Sequence, residues 1–266
     1  CDYRVGYLQP PGIGDDAKVV SIQVDPNRLG QGVGAHLYIC GDPGSVLSQV
    51  AELGDNVQPK HEWLVTAKQR RDAFRAKCVN AREAGAKLHA LDVVGAVRDV
   101  LTEETVVIID GGNIGQWCHQ VLCDRYPGHW LTCGVSGVVG YGIPAAMAAR
   151  LIYPERPIVL ISGDGALTFT IAELETASRQ GLGFAIVLAD DEAWGITLTG
   201  QQQYFGQGIT AELGPIDYAK MANSFGAKGI TINSPDEILP ALKLGLIGGK
   251  PTLIHVPISR GNPKDA

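Results

Sequence analysis

The sequence lacks any long apolar run. Its most continuous stretches, residues 158–162 and 184–189, fall far short of the ~20 apolar residues that cross a bilayer. It lacks a basic excess too. With 22 Lys+Arg against 28 Asp+Glu, the net charge is -6, which argues against nucleic-acid binding. No basic segment followed by an apolar core opens the chain, so no signal peptide is expected and the chain reads as cytoplasmic. No Cys-x-x-Cys pair occurs among Cys1, Cys40, Cys78, Cys118, Cys123 and Cys133, and Cys118 with Cys123 lacks the common zinc spacing. Reduced thiols are the expectation. Finally, no Gly-x-Gly-x-x-Gly turn follows the first strand of a βαβ unit, which counts against a Rossmann-type NAD or FAD oxidoreductase.

The 266 residues are 45% hydrophobic and 19% charged, a globular composition with room for one large domain or two smaller ones. Glycine is plentiful, at 34 residues or roughly one in eight against a usual ~7%. Residues 17–25 and 36–40 read as short strands. Asp42 and Pro43 look like the cap and first residue of a helix reaching about Leu53. Residues 54–61 read as a linker, and a charged helix follows over 62–84. From Leu91 onward, helices alternate with short, mostly apolar strands at 106–109, 130–133, 158–162, 184–189, 228–232 and 252–256. Thr170 with Glu173, and Ser234 with Glu237, have capping-box spacing. This pattern predicts an α/β fold, a parallel sheet with helices on both faces. Half of a Rossmann-like central domain is expected before it. In such sheets ligands bind beyond the carboxyl ends of the strands.

Three strand ends stand out: Asp110-Gly111-Gly112-Asn113, Gly163-Asp164-Gly165 and Asp190-Asp191-Glu192-Ala193-Trp194-Gly195. Glycines let a backbone approach a ligand, and free N–H groups at a helix start suit phosphate. Carboxylates serve such a site by holding Mg²⁺. Asp164 and Asp191 fit a two-ligand clamp of that kind.

Asp191 lies 26 positions beyond Gly165, across a helix and an apolar strand. This arrangement, GDGALTFTIAELETASRQGLGFAIVLADD, resembles the signature of thiamine diphosphate-dependent enzymes of the acetolactate synthase, pyruvate oxidase and benzaldehyde lyase superfamily. CGVSGVVGYGIPAAMAA at 133–149 is similar to that family's glycine-rich segment, DGGNIGQW at 110–117 to its DxGxHxxW turn, and AKVVSIQVDP at 17–26 to a strand of its central domain. DYRVGY at 2–7 looks like the segment just before that strand.

The resemblance implies side-chain ligation of Mg²⁺ by Asp164 and Asp191, with the carbonyl of Ala193 as a third ligand. It implies that Gly165, Ala166 and Leu167, after Gly163, turn N–H groups to the diphosphate. Asn113, Ile114 and the Trp194-Gly195-Ile196 turn would do the same. Gly137 would accept from the aminopyrimidine, and Val139 would wedge the cofactor into a bent shape. This sequence carries Asp190-Asp191 where the family has a pair of Asn, and Ile114 where a polar residue is common. A flavin beside the Asp25 strand is a secondary expectation, because many members carry none. His119, His129 and His255 are expected to be structural; residues 201–205 follow the cofactor turn, where substrates often lie in this family, or form a mobile loop, and no role is assigned to them.

The implied activity is that of a lyase or carboligase acting on 2-oxo acids or 2-hydroxy ketones through a C2 ylide. A 2-hydroxyacyl-CoA lyase, a cyclic diketone hydrolase and a non-catalytic paralogue are the alternatives. In this family a glutamate from an N-terminal pyrimidine-binding domain activates the cofactor, and nothing in these residues resembles that domain. The expected organisation is therefore 1–56 as part of a central domain, 57–85 as linker and connecting helix, and 86–266 as the diphosphate- and Mg²⁺-binding domain. The chain would be the C-terminal half of a hetero-oligomer with an N-terminal partner. A split gene, self-cleavage before Cys1, or a trimmed or proteolysed chain would account for the start.

Overall fold

A computed structural model describes residues 16–30, 34–54, 60–83, 88–122 and 129–261. Cys1, residues 2–7 and Cys123 lie outside the described residues, as does most of the expected linker. The chain divides into two compact units, Cys1–Gln69 and Arg70–Ala266. The division falls inside one helix, within the stretch expected to connect the domains.

In the first unit β1 (Val20–Gln23) pairs in parallel with β2 (Leu37–Cys40). Helix α1 (Pro43–Glu52) follows, and its start forms as the sequence predicts. The Asp42 side chain accepts the Ser45 N–H at 2.8 Å, and Pro43 fills the first turn. Asp25 caps a short 3₁₀ turn by accepting the Asn27 N–H. No residue of β1, β2 or α1 is buried.

Helix α2 (His61–Glu83) spans the division. The second unit then runs α3 (Ala90–Val100), β3 (Val106–Asp110), α4 (Asn113–Val121), β4 (His129–Leu131), α5 (Gly142–Ile152) and β5 (Ile158–Gly163). After these come α6 (Asp164–Thr168), α7 (Glu173–Arg179), β6 (Ala185–Asp190), α8 (Gly195–Phe205), α9 (Tyr218–Ser224), β7 (Lys228–Thr231), α10 (Pro235–Ile247) and β8 (Thr252–Pro257). Six strands form one sheet in the order β4-β3-β5-β6-β8-β7, and every pairing is parallel.

The apolar strands are buried on both faces because successive side chains point to opposite sides. Val107, Ile109, Val159, Ile161, Val187 and Ile254 pack with α3, α4 and α10 on one face. Val106, Ile108, Ile158, Leu160, Ile186 and Leu253 pack with α5 and α9 on the other. From β3 the chain winds outward to β4 and then returns to β5 on β3's other side. The strand order therefore reverses between β3 and β5, and the carboxyl ends there open a crevice.

Two expected caps differ. Thr170 does not cap a helix: its hydroxyl donates to the Gly140 carbonyl at 2.8 Å, and α7 starts from Ala172 without a side-chain cap. Ser234 makes no capping bond either, because the Glu237 carboxylate reaches one residue further back, to the Asn233 N–H. Helix α6, immediately after β5, is an addition to the sequence reading. Residues 201–205, for which a mobile loop was one expectation, are the last turns of α8.

Helix and sheet approach most closely at Gly229, where a Cβ would lie 1.9 Å from the Ala219 carbonyl oxygen. Gly229→Ala is expected to destabilise the chain by about 1–3 kcal/mol as α9 is pushed off β7. Thermal unfolding checks this, and an unchanged midpoint would contradict the close packing.

Candidate functional site

The carboxyl ends of β3, β5 and β6 lie side by side, in register at Asp110↔Ser162 and Gly163↔Ala189. Three glycines bring the turns beyond them together. At Gly111, with φ +129°, a Cβ would stand 2.8 Å from the Gly163 nitrogen. At Gly165 it would stand 2.9 Å from the Trp194 ring. At Gly195 it would stand 2.7 Å from Asp191 Oδ2 and 3.1 Å from Asn113 Cβ. Larger residues would hold these turns apart.

Asp110 anchors the β3 turn. Its buried carboxylate accepts the N–H groups of Gly140 (3.0 and 3.1 Å) and Gly142 (2.8 Å), which fixes the glycine-rich segment against the strand end. Tyr141 adds a bond from its hydroxyl to the Ile109 carbonyl. Burial raises the Asp110 carboxyl above its ordinary range, although the Gly142 and Gly140 N–H groups oppose this.

Asp164 opens α6 and is 2% exposed. Its Oδ2 accepts the Ala193 N–H at 3.2 Å and so ties the β5 turn to the β6 turn. Its pKa is pushed up to about 8, first by burial, then by the charge of Asp191 and a hydrogen bond with Asp190. Asp191 is also raised by burial. The Asn113 amide, which donates to its Oδ2 at 3.2 Å, works against that shift.

Asp190 behaves differently. Burial would raise it, but His255, with Nε2 at 2.8 Å, and the Glu192 N–H at 3.0 Å outweigh this, so its carboxyl is lowered. The extra acid in the Asp-Asp pair is thus matched by a basic partner on β8. Tyr218 stands edge-on to that imidazole at 5.3 Å.

These elements line a cavity of about 340 Å³, within the common range for ligand sites. From the β3 turn come Asn113 and Ile114, and from the glycine-rich segment Gly137 and Val139. The β5 turn contributes Gly163, Asp164, Gly165 and Ala166, and the β6 turn Asp191, Ala193, Trp194, Gly195 and Ile196. Leu167 does not line it; its side chain is buried in the core below. The Trp194 N–H is taken up by the Ala211 carbonyl at 2.8 Å, leaving Gly195 and Ile196 as the N–H groups of that turn.

The first N–H groups of α6 have no partner within the helix and sit beside Asp164. Among the described residues, no group of three or more His, Cys, Asp or Glu side chains is placed to hold a metal. Asp164 and Asp191 are the two carboxylates that line the cavity. Sequence reasoning passed over several contributors. Thr197 and Ile258 line the cavity, and Arg260, whose Nε donates to the Asp191 carbonyl at 3.0 Å, belongs to no motif. For His255 the one signal was the unusual second carboxylate, whose buried oxygen needs a hydrogen-bond partner.

A family profile described as "Thiamine pyrophosphate enzyme, C-terminal TPP binding domain" matches residues 110–256. Acetolactate synthase isozyme 1 large subunit of Escherichia coli is 30% identical over 91% of this chain and 43% of its own length. Acetolactate synthase large subunit IlvG of Mycobacterium tuberculosis is 31% identical over 96% of this chain and 46% of its own. A 2-hydroxyacyl-CoA lyase 2 of Danio rerio is 26% identical over 98% and 44%. The chain thus spans less than half the length of these relatives.

The raised Asp164 carboxyl predicts a pH effect on stability in chelator. A carboxyl whose folded pKa exceeds its unfolded value of 3.8 keeps its proton in the fold and loses it on unfolding. Stability should therefore fall as pH rises from about 4 towards about 8. Asp164→Asn keeps a donor towards Asp190 and removes the titration, so its advantage in melting temperature over the parent should grow across that window. A constant difference would contradict the shift.

Proposed function

As the chain belongs to the thiamine pyrophosphate enzymes, through their C-terminal cofactor-binding domain, we propose that this cavity holds the diphosphate of thiamine diphosphate together with Mg²⁺. The observation that carries the reading is the convergence of two buried carboxylates, Asp164 and Asp191, in one cavity whose walls are glycine turns. Buried carboxylates held above their ordinary range favour a hard cation that neutralises them. The glycines keep the walls free of side chains where a diphosphate would lie against backbone.

In this reading Asp164, Asp191 and the Ala193 carbonyl hold Mg²⁺. N–H groups of Gly165, Ala166 and Leu167, with those around Asn113, Ile114, Gly195 and Ile196, receive diphosphate oxygens at helix starts. Asn113 keeps the Asp191 carboxylate turned inward through its amide. Gly137, with φ +63°, and Val139 line the cavity from the glycine-rich segment; Gly137 would accept from the aminopyrimidine there, and Val139 would offer the cofactor an apolar contact. Trp194 and Ile196 add apolar surface to the cavity wall. The cofactor, when bound, supplies the electron sink for making or breaking a C–C bond beside a carbonyl.

The reaction proposed is that of a lyase or carboligase on 2-oxo acids or 2-hydroxy ketones. The names of the acetolactate synthases and the 2-hydroxyacyl-CoA lyase among the relatives support it. A pyrimidine-binding N-terminal half is proposed as the partner that brings the activating glutamate.

Calorimetric titration of thiamine diphosphate and Mg²⁺ into the chain combined with that half tests the proposal. Saturable binding is expected, with Asp164→Ala weakening it about 100-fold or more. Absence of binding, or an Asp164→Ala protein equal to the parent, would end this reading.

A further inference from the structure

The residues after β8 lie across the turn that carries Asp191. The Ile258 N–H donates to the Asp190 carbonyl at 2.8 Å, and the Ser259 N–H to the Leu88 carbonyl at 2.7 Å. The Gly261 carbonyl accepts from the Asn113 amide at 2.8 Å and from Trp117 Nε1 at 3.4 Å. Between these anchors stands Arg260. Its Nε donates to the Asp191 carbonyl at 3.0 Å, Nη2 to the Glu192 carbonyl at 3.1 Å, and Nη1 to Glu212 Oε1 at 2.8 Å.

The turn so gripped is a strained one. Glu192 has φ +52°, in the left-handed region that a non-glycine residue seldom enters. Its N–H is held from inside by Asp190, and its carbonyl from outside by both Arg260 and the Leu213 N–H. Glu212 itself pairs with Ala193 in an antiparallel bridge. One guanidinium therefore joins the two carbonyls that flank the turn to the segment that braces it.

We propose that Arg260 is a positioning residue for the metal and cofactor turn. Its planar fork fixes the backbone at 191–192, and through it the directions of the Asp191 carboxylate and the Ala193 carbonyl. This inference rests on the reading of the cavity given above. A lysine cannot replace it, because a single ammonium does not span two carbonyls and a carboxylate in one plane.

The test combines two readouts on the full enzyme. Amide hydrogen exchange, without cofactor, follows the turn itself. Calorimetry with Mn²⁺ and thiamine diphosphate follows binding. Arg260→Ala should speed exchange at 191–194 about tenfold, and weaken Mn²⁺ binding about 10- to 100-fold, as loss of an outer support of a metal ligand does. Arg260→Lys should recover only a minor part, and millimolar guanidinium should restore binding to Arg260→Ala. Glu212→Gln, which removes the counter-charge and keeps the fork, should show a smaller loss of the same kind. It also carries the test should Arg260→Ala fail to fold. Parental exchange and parental affinity in these variants would overturn the proposal. A parent enzyme that binds no thiamine diphosphate would instead overturn the reading of the cavity, and the exchange data would still decide whether Arg260 holds the turn.

Discussion

The bond from the Ala193 N–H to the buried Asp164 carboxylate is the constraint on which the cavity depends. It joins the ends of two neighbouring strands at a point where neither strand can any longer pair with the other. A charge so placed costs free energy unless it is met. Asp190 and His255 meet part of it, by sharing a proton with Asp164 and by placing an imidazole behind the pair. Asp191 lines the cavity beside Asp164, so the carboxylates at this edge share a network with Asp190, whose own oxygens are bonded within the fold.

The sheet around that network was legible because its strands are short apolar runs between amphipathic helices. Burial on both faces erases the alternation that would otherwise blur strand with helix. Asp42 and Pro43 marked the start of α1. The misreadings share a cause. Thr170 has the spacing of a capping residue, but tertiary contact offers its hydroxyl a better acceptor at Gly140. Helix α8 begins on Gly195 and has little amphipathic pattern, so its sequence carries no signal of helical period.

The candidate site was legible in its motif residues and illegible in their supports. Asp164 and Asp191 declared themselves by spacing, and nearly all the residues expected beside them line one cavity. Leu167 is the exception, because the first turn of α6 sends that side chain down into the sheet. His255 and Arg260 lie 65 or more positions from the acids they serve, on the last strand and beyond it. Only the topology, with β8 inserted beside β6, brings them near.

The close stacking of the Gly165 backbone on the Trp194 ring has an optical consequence. Of the chain's four tryptophans, Trp194 alone lines the cavity, and Trp117 is sealed in the core. An indole pressed against the backbone that would cradle a ligand is an intrinsic fluorophore set into the wall. Occupancy of the cavity should be readable in its emission without any label attached to protein or ligand.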